Sequence, residues 1–226
     1  MSSGYIEVGL TAQASDIHRA LASLQEELEA IDYYHQRADV SNDESLAAIL
    51  PVDPTQASPE VAPILQAVKA KLGRVPNLFL TLAQAPTALK AYLGASEAIG
   101  TGRLDAQQRE VIALAVAEAN SCDYCLAAHS AIGQMVGLDA DTILQSRSGV
   151  PANQRQAALA AFARAVVRER GQVSALDLQA AREAGLDDQD LLEVVANVAV
   201  NILTNYTNHV AGTVVDFPKV DRLVHV

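Results

Sequence analysis

The sequence contains little aromatic side-chain surface and no tryptophan. Aromatic residues make up 4% of the 226 residues, whereas half of the residues are hydrophobic and most of those are Ala, Leu or Val. Large sheets usually rely on aromatic and β-branched surfaces, while small aliphatic side chains suit closely packed helices. The composition therefore predicts an all-α protein, long enough for one good-sized core.

Positive charge and long hydrophobic runs are both scarce. Lys and Arg number 16 against 27 Asp and Glu, which gives a formal net charge of −11. An acidic chain repels phosphate backbones and anionic lipids, so we expect neither a nucleic-acid partner nor a membrane. The longest apolar stretches, near 111–117 and 194–200, are too short to span a bilayer, and the first residues lack a signal-peptide pattern. We therefore expect a cytoplasmic protein.

Cysteine is also scarce, because Cys122 and Cys125 are the two cysteines of the chain. In a reducing compartment, two cysteines at this spacing are more often catalytic or metal-binding than a structural staple. A structural zinc site normally takes four protein ligands, of which this pair would supply half. A buried structural pair is the other alternative. The pair is thus the first place to look for chemistry.

The chain divides into three parts by its pattern of apolar residues and prolines. Residues 16–37 predict an amphipathic helix with one apolar stripe. Four prolines within residues 51–63 exclude a long helix there. We predict an N-terminal helical segment in 1–50, a linker at 51–61 and a helical domain over 62–226. The stripe consists of Ile17, Leu21, Leu24, Leu28 and Ile31.

Helical patterns follow one another through the predicted domain, and most have recognisable ends. N-cap residues are expected at Asp105, Ser174 and Asp187, and helices should stop at Gly137 and Gly185. The predicted helices cover about 62–72, 77–85, 86–100, 106–119, 122–136, 140–145, 153–169, 175–184 and 188–200, with a final one beyond.

Two of these segments resemble each other, which predicts an internal helical duplication. REVIALAVAEANSCDYCLAAH and LEVVANVAVNILTNYTNHVAG both begin with an Ala- and Val-rich helix and then reach a polar turn containing Tyr. When Tyr124 is set against Tyr206, one residue away from the register that aligns the glutamates, Cys122 falls on Thr204 and Cys125 on Thr207. The second segment has no thiol, so we expect it to be scaffold, and we interpret His209 within it as structural.

The spacing of the two cysteines and His129 predicts reactive thiols. Asn120 or Ser121 is a good N-cap, which would place both cysteines in the first turn of a new helix. Unpaired amides and the positive end of the helix dipole favour a thiolate there. Residues three and four apart share a helix face, so Cys122 can reach Cys125 for a disulfide, and Cys125 can reach His129 for proton transfer.

Glu110 completes the pattern if the chain turns between it and His129. In one unbroken helix, Glu110 would lie roughly 18 Å from Cys122, at a rise of about 1.5 Å per residue. If the chain reverses at 119–121, Glu110 and His129 meet, and the carboxylate can orient the imidazole. Each residue alone is better explained as a core histidine or a solvated acid, whereas the joint spacing favours a site.

The set Glu110, Cys122, Cys125 and His129 resembles the signature of the AhpD-like alkylhydroperoxidases of the carboxymuconolactone decarboxylase superfamily. GRVPNLFLTLAQAP is similar to a stretch of its peroxidase-related members, and the resemblance covers roughly residues 55–220. It implies an all-helical bundle, assembly into trimers or hexamers, and thiol-dependent peroxidase activity with Cys125 as the proton-relayed thiol and Cys122 as its partner. The presence of both thiols argues against decarboxylation.

Tyr124 stands between the cysteines, where that family sometimes has a histidine. We expect it to be a packing residue with a useful hydroxyl rather than a catalytic residue.

The N-terminal stretch IHRALASLQEELEAIDYYHQRAD resembles the first helix of the encapsulated ferritin-like proteins. The resemblance places Glu27 at an iron-ligand position, with Glu26 and Glu29 as accessory acids. The second helix with its Glu-x-x-His pair has no counterpart, so we do not expect a complete diiron site. A solvated acidic face or an oligomer contact is the preferred interpretation, and we expect no cofactor and no metal.

The sequence therefore leaves two functional hypotheses. The first is a thiol-dependent peroxidase that reduces hydroperoxides and is recycled by an external dithiol or disulfide reductant, in a homo-oligomer. The second is a non-enzymatic redox-responsive or assembly protein that uses a reversible disulfide between Cys122 and Cys125. Turnover with peroxide distinguishes the two.

Overall fold

The structure, a computed structural model, describes residues 49–223. Within that range the regular structure is helical and no β-strand occurs, so the predicted all-α class is confirmed. The N-terminal helix predicted at 16–37 lies outside the described residues. The α-helices are α1 Ala62–Leu72, α2 Asn77–Leu82, α3 Pro86–Gly100, α4 Ala106–Ala119, α5 Asp123–Met135, α6 Ala140–Ser148, α7 Gln154–Arg168, α8 Ala175–Glu183 and α9 Asp188–Ala211.

Local capping chemistry sets most helix boundaries. Asp105, Ser174 and Asp187 each form a reciprocal capping box, in which the side chain accepts a hydrogen bond from the backbone three residues on. Gly137 and Gly185 follow helices with φ of 91° and 87°, a backbone conformation that a Cβ disfavours. The starts of α4, α8 and α9 and both glycine stops are therefore confirmed.

Helix α4 lies at the centre of the bundle. Eight consecutive residues, 111–118, are buried, and the helix contacts α5, α6, α7 and α9. Apolar clusters cover different faces of α4. One cluster joins Ile112 and Val116 to α7 and α9, and another joins Ala117 to α1, α2, α3 and the cysteine end of α5. The predicted thiol pair therefore lies inside the core, next to the end of α4.

The prediction for the last part of the chain was wrong in one respect. We expected a helix ending near Val200, then a polar turn around Tyr206 and a final helix, but α9 runs unbroken over 24 residues. No glycine or proline interrupts it, and it ends where Gly212 adopts φ 59°. Its buried asparagines make hydrogen bonds within the helix or to α4 and α5, so they do not break it.

The proline-rich segment at 51–61 packs on the helical bundle. Pro54–Gln56 form a 3-10 turn capped by Asp53. The backbone amide of Val52 donates to the carbonyl of Leu80 at 3.0 Å, and Val61 is buried.

None of the helices within residues 49–223 has both the length and the apolar character needed to cross a membrane.

Candidate active site

The site is built at a reversal of the chain between α4 and α5. Ser121 adopts φ 53°, and the amide of Cys122 donates back to the carbonyl of Ala117 at 2.9 Å. Cys122 itself is the N-cap of α5, so the prediction that Asn120 or Ser121 caps this helix was wrong. The side chain of Asn120 instead donates to Asn205 of α9 at 2.8 Å. The reversal sends α5 back along α4.

Both cysteines are buried free thiols. Cys122 is 1% and Cys125 is 2% exposed, and no disulfide joins them. Each sulfur has a different partner on α9. The thiol of Cys122 points to the backbone carbonyl of Asn205 at 3.9 Å, and the side-chain amide of Asn208 donates to the sulfur of Cys125 at 3.2 Å.

The surroundings of the two thiols shift their pKa values in opposite directions. A hydrogen bond from Cys122 lowers the pKa of Cys125 to about 7 despite burial, and the charge of His129 and the side chains of Asn208 and Asn205 act in the same direction. The same interaction with Cys125, together with burial and the charge of Cys125, raises the pKa of Cys122 against smaller opposing hydrogen bonds from the backbone of Cys125 and the side chain of Asn208. Cys125 therefore ionises before Cys122, which keeps its proton and donates to Cys125.

The chain reversal brings Glu110 and His129 together. Nδ1 of His129 donates to a carboxylate oxygen of Glu110 at 2.8 Å, with side chains 20% and 15% exposed. Burial opposes protonation of the imidazole, but the charge of Glu110, its hydrogen bond and the charge of Cys125 raise the pKa of His129. Because Nδ1 is committed to Glu110, Nε2 is the nitrogen left for proton exchange.

Tyr124 makes its contacts away from the thiols. Its hydroxyl accepts a hydrogen bond from the amide of Leu78 at 3.1 Å, and its ring meets Phe217 edge-on at 5.7 Å between centroids. Burial raises the pKa of Tyr124. The residue thus connects α5 to α2 and to the C-terminal tail.

Side chains on either side of the cysteine pair hold the reversal in place. The buried carboxylate of Glu118, at the end of α4, accepts from the Arg147 side chain at 2.7 Å and from the amide of Leu223 at 2.8 Å. Arg222 makes two hydrogen bonds to Asp123 at 2.6 and 2.8 Å. The C-terminal tail is therefore fastened to the start of α5.

Tyr92 of α3 was not predicted from the sequence as part of this site. Its ring packs against Phe79 at 5.7 Å between centroids. Burial raises the pKa of Tyr92, although a hydrogen bond with Ser96 lowers it. The charges of Cys125 and Glu110 raise it further. Its hydroxyl is therefore within electrostatic range of both groups. No motif surrounds Tyr92 that would have singled it out.

Asn205 and Asn208 were also missed, although the sequence contains a signal for them. Asparagines recur at 197, 201, 205 and 208, and this spacing places them on one face of α9. All four are buried. A row of buried amides needs hydrogen-bond partners, and the two residues nearest the C-terminal end find them at the active site.

Two regions of the sequence match known families. Residues 84–166 match the carboxymuconolactone decarboxylase family, and residues 6–64 match the EncFtn-like family. The chain thus contains an AhpD-like carboxymuconolactone decarboxylase family domain, preceded by an EncFtn-like region.

Solved structures share the helical fold. A peroxidase-related protein from Ralstonia eutropha, described as an alkylhydroperoxidase AhpD core, is 29% identical with a TM-score of 0.66, over 73% of this chain and 89% of that chain. A peroxidase-related protein from Silicibacter sp. is 24% identical with a TM-score of 0.64, over 70% and 86%. The debrominase Bmp8 is 19% identical with a TM-score of 0.64, over 74% and 91%. The last two likenesses concern the fold alone.

An encapsulated ferritin-like protein from Rhodospirillum rubrum is 61% identical over 33 residues, which are 15% of this chain. The match spans 24% of that relative's length. The candidate acids Glu26, Glu27 and Glu29 lie outside the described residues. In the described part of the EncFtn-like region, the acidic residues have other partners, since Asp53 caps a turn and Glu60 pairs with Lys90 at 2.7 Å. Those two acids therefore do not fit an iron site.

Proposed function

We propose that this protein is a thiol-dependent peroxidase-type oxidoreductase in which Cys125 attacks a hydroperoxide. The observation that carries the proposal is a buried thiol of lowered pKa, one helical turn from a histidine that is paired with a carboxylate. The AhpD-like domain and the likeness to the AhpD core of Ralstonia eutropha support it.

In the first step, the Cys125 thiolate donates two electrons to the peroxide. A sulfur–oxygen bond forms as the oxygen–oxygen bond breaks, which leaves Cys125 as a sulfenic acid and releases an alkoxide. His129, protonated and held by Glu110, supplies the proton that converts the alkoxide to an alcohol. Glu110 acts through His129 as a positioning residue.

In the second step, Cys122 resolves the sulfenic acid. Its sulfur attacks Cys125, the disulfide forms, and the hydroxyl group leaves with the thiol proton as water. An external dithiol then reduces the disulfide by thiol–disulfide exchange and returns both cysteines to the reduced state. The proposed partners are therefore a hydroperoxide and a dithiol or disulfide reductant.

One observation favours the alternative of a redox-responsive protein without turnover. Both sulfurs are almost fully buried, which restricts the access of a bulky reductant. A disulfide at the start of α5 would also act on the tail that Arg222 and Asp123 fasten there. In that case oxidation would be reversible in a single cycle but would not support steady consumption of peroxide.

A steady-state peroxide assay with several dithiol donors tests the proposal. The wild-type protein should consume peroxide in proportion to the dithiol supplied, and Cys125→Ser should not. Intact mass after mild oxidation should show the loss of two thiols without a covalent dimer. If both thiols persist in excess peroxide, both redox hypotheses are wrong. If the disulfide forms but no dithiol supports turnover, the alternative holds.

A further inference from the structure

We propose that α9, which carries neither cysteine, assigns the two thiols their opposite roles. Asn208 is the donor that holds Cys125 as a thiolate, and the backbone carbonyl of Asn205 is the acceptor that holds Cys122 as a thiol. The inference rests on the proposed function in that Cys125 is the attacking sulfur. It makes Asn208 a catalytic residue, because its amide touches the reacting atom.

The chemistry of the two contacts is directional. A side-chain amide nitrogen only donates, so the 3.2 Å contact from Asn208 to the sulfur of Cys125 is strongest when that sulfur is a thiolate. A carbonyl oxygen only accepts, so the carbonyl of Asn205, 3.9 Å from the sulfur of Cys122, adds to the hydrogen bond that Cys122 donates to Cys125 in favouring a protonated Cys122. The two contacts therefore favour one protonation pattern over its reverse.

The amides that make this arrangement are themselves fixed. Asn205 is 0% and Asn208 is 4% exposed, and the side-chain oxygen of Asn205 accepts from Asn120. Two other buried asparagines on the same face behave differently. Asn197 and Asn201 donate to carbonyls of α9 itself, at 2.8 and 2.9 Å. Asn205 and Asn208, in contrast, lie where α9 passes the end of α4 and the cysteines, and their side chains contact residues outside α9.

Two buried amide atoms remain without a hydrogen-bond partner among the described residues. They are Nδ2 of Asn205, a donor, and Oδ1 of Asn208, an acceptor. Buried polar groups nearly always have a hydrogen-bond partner, so a buried group without one marks a place for a ligand, a water or a reaction intermediate. A sulfenic acid on Cys125 presents a hydroxyl that needs one donor and one acceptor. Between them, the two unpaired amide atoms offer one donor and one acceptor.

Titration of the thiolate in Asn208→Leu tests the assignment. Leu keeps the approximate shape of Asn and removes the donor, so the midpoint of the ultraviolet thiolate signal should rise by about one pH unit. The titration midpoint is a better measure than an alkylation rate at one pH. A thiolate of higher pKa is less populated but also more nucleophilic, so the two effects oppose each other in the rate. Asn201→Leu is the matched control, since it removes a buried amide from the same face of α9 and should leave the midpoint unchanged.

Asn208→Asp provides a second variant of the same shape. At neutral pH its carboxylate repels the thiolate and accepts instead of donating, so the midpoint should rise further than in Asn208→Leu. Limited alkylation followed by peptide mapping measures how strongly Cys125 is labelled in preference to Cys122. Wild-type protein should be labelled mainly at Cys125, whereas the Asn208 variants should lose up to about tenfold of that preference over Cys122.

The outcomes separate this inference from the proposed peroxidase function, because titration needs no peroxide. An unchanged midpoint and unchanged selectivity in folded Asn208→Asp overturn the role of α9, even where wild-type turnover is normal. A raised midpoint in a protein that never consumes peroxide overturns the peroxidase and leaves the assignment of the thiols standing. If Asn208→Leu melts far below wild type, Asn208→Asp decides the question.

Discussion

The α4–α5 segment and α9 have similar sequences but different structures. The first breaks at Ser121 and folds back, so that Glu110 meets His129 across the reversal. The second continues as one helix past Thr204 and Thr207, the residues aligned with the cysteines. Glu193, which lies one residue out of register with Glu110 in this alignment, therefore remains near the start of an unbroken helix, far along the chain from its C-terminal end. The comparison shows that the site needs the reversal as well as the cysteines and the histidine.

The two glutamates show the same contrast. Glu110 holds an imidazole, whereas Glu193 accepts hydrogen bonds from the backbone amides of Arg103 and Leu104 at 2.7 and 3.1 Å. One carboxylate serves the thiol site and the other fixes the loop before α4. The two aligned segments therefore divide chemistry and support between them, and the predictions below test that division.

The largest difference is expected between Cys125→Ser and Thr207→Ser. Loss of the Cys125 thiol removes the attacking atom and should reduce peroxide turnover to the background rate. Thr207 donates through its hydroxyl to the carbonyl of Leu203, and Ser keeps that hydroxyl, so Thr207→Ser should retain turnover. Steady-state peroxide consumption measures both variants. Similar losses in the two would contradict the division of roles.

Helices α4 and α9 also differ in how much apolar surface each exposes to solvent. Helix α4 is buried along 111–118, but α9 has an outer apolar face that borders a groove of about 570 Å³. We predict that this face contacts a second copy of the chain in a homo-oligomer, because exposed apolar rows of this kind mark protein contacts. The outer face consists of Leu192, Val195, Leu203, Tyr206 and Val210.

Replacement of Leu203 and Val210 together by Glu should reduce the assembly mass to a smaller whole-number multiple of the chain, because each charge would be buried at the contact. Light scattering measures the mass. Leu176→Glu is the control, since Leu176 on α8 is 76% exposed but lies outside the outer face. An unchanged mass in the double variant, or an equal change in the control, would exclude α9 as the contact.

Opposite pH windows should distinguish Glu110→Gln from Glu193→Gln. The folded pKa of His129 is raised, so the stability that Glu110 contributes through it is fully present below the ordinary imidazole pKa of about 6.5. It is lost as the pH rises through the folded value. Denaturant unfolding of Glu110→Gln should therefore differ most from wild type in mild acid and least at alkaline pH.

For Glu193 the sign is reversed. Burial opposes the shift, but hydrogen bonds from Gln189 and from the amides of Leu104 and Arg103 lower its pKa. Its contribution is present above the ordinary Glu pKa of about 4.3 and is lost as the pH falls through the folded value. The same unfolding series on Glu193→Gln checks this. Parallel pH profiles for the two variants would show that the carboxylates do not have separate roles.

The smallest effect is expected where the two segments diverge. Ser121 has a positive φ, which a β-branched side chain tolerates poorly, so Ser121→Val should reduce the free energy of unfolding by about 1–2 kcal/mol. Leu203, the aligned residue on α9, is helical, and Leu203→Val should cost about 0.5 kcal/mol. Denaturant melts provide both values. Ser121→Gly is the conformational control and should be the most stable of the Ser121 variants.

The sequence determined the features that depend on near neighbours. The helical class, the capping boxes at Asp105 and Ser174, and the proximity of Cys125 and His129 on one helix face follow from residues within a few positions of each other. The meeting of Glu110 and His129 followed conditionally, because it required a reversal near 119–121 and no local pattern required the chain to turn there.

Only the tertiary structure decided where helices break and what surrounds the thiols. Asparagines occur both near Ser121 and along α9, yet one segment reverses and the other continues. At the reversal, Glu118 is bound to Arg147 and to the C-terminal tail. Asn208 contacts Cys125 across 83 positions of the chain. No local rule connects residues that far apart, since their contact depends on the packing of whole helices, and that packing determines which sulfur receives a donor and which an acceptor.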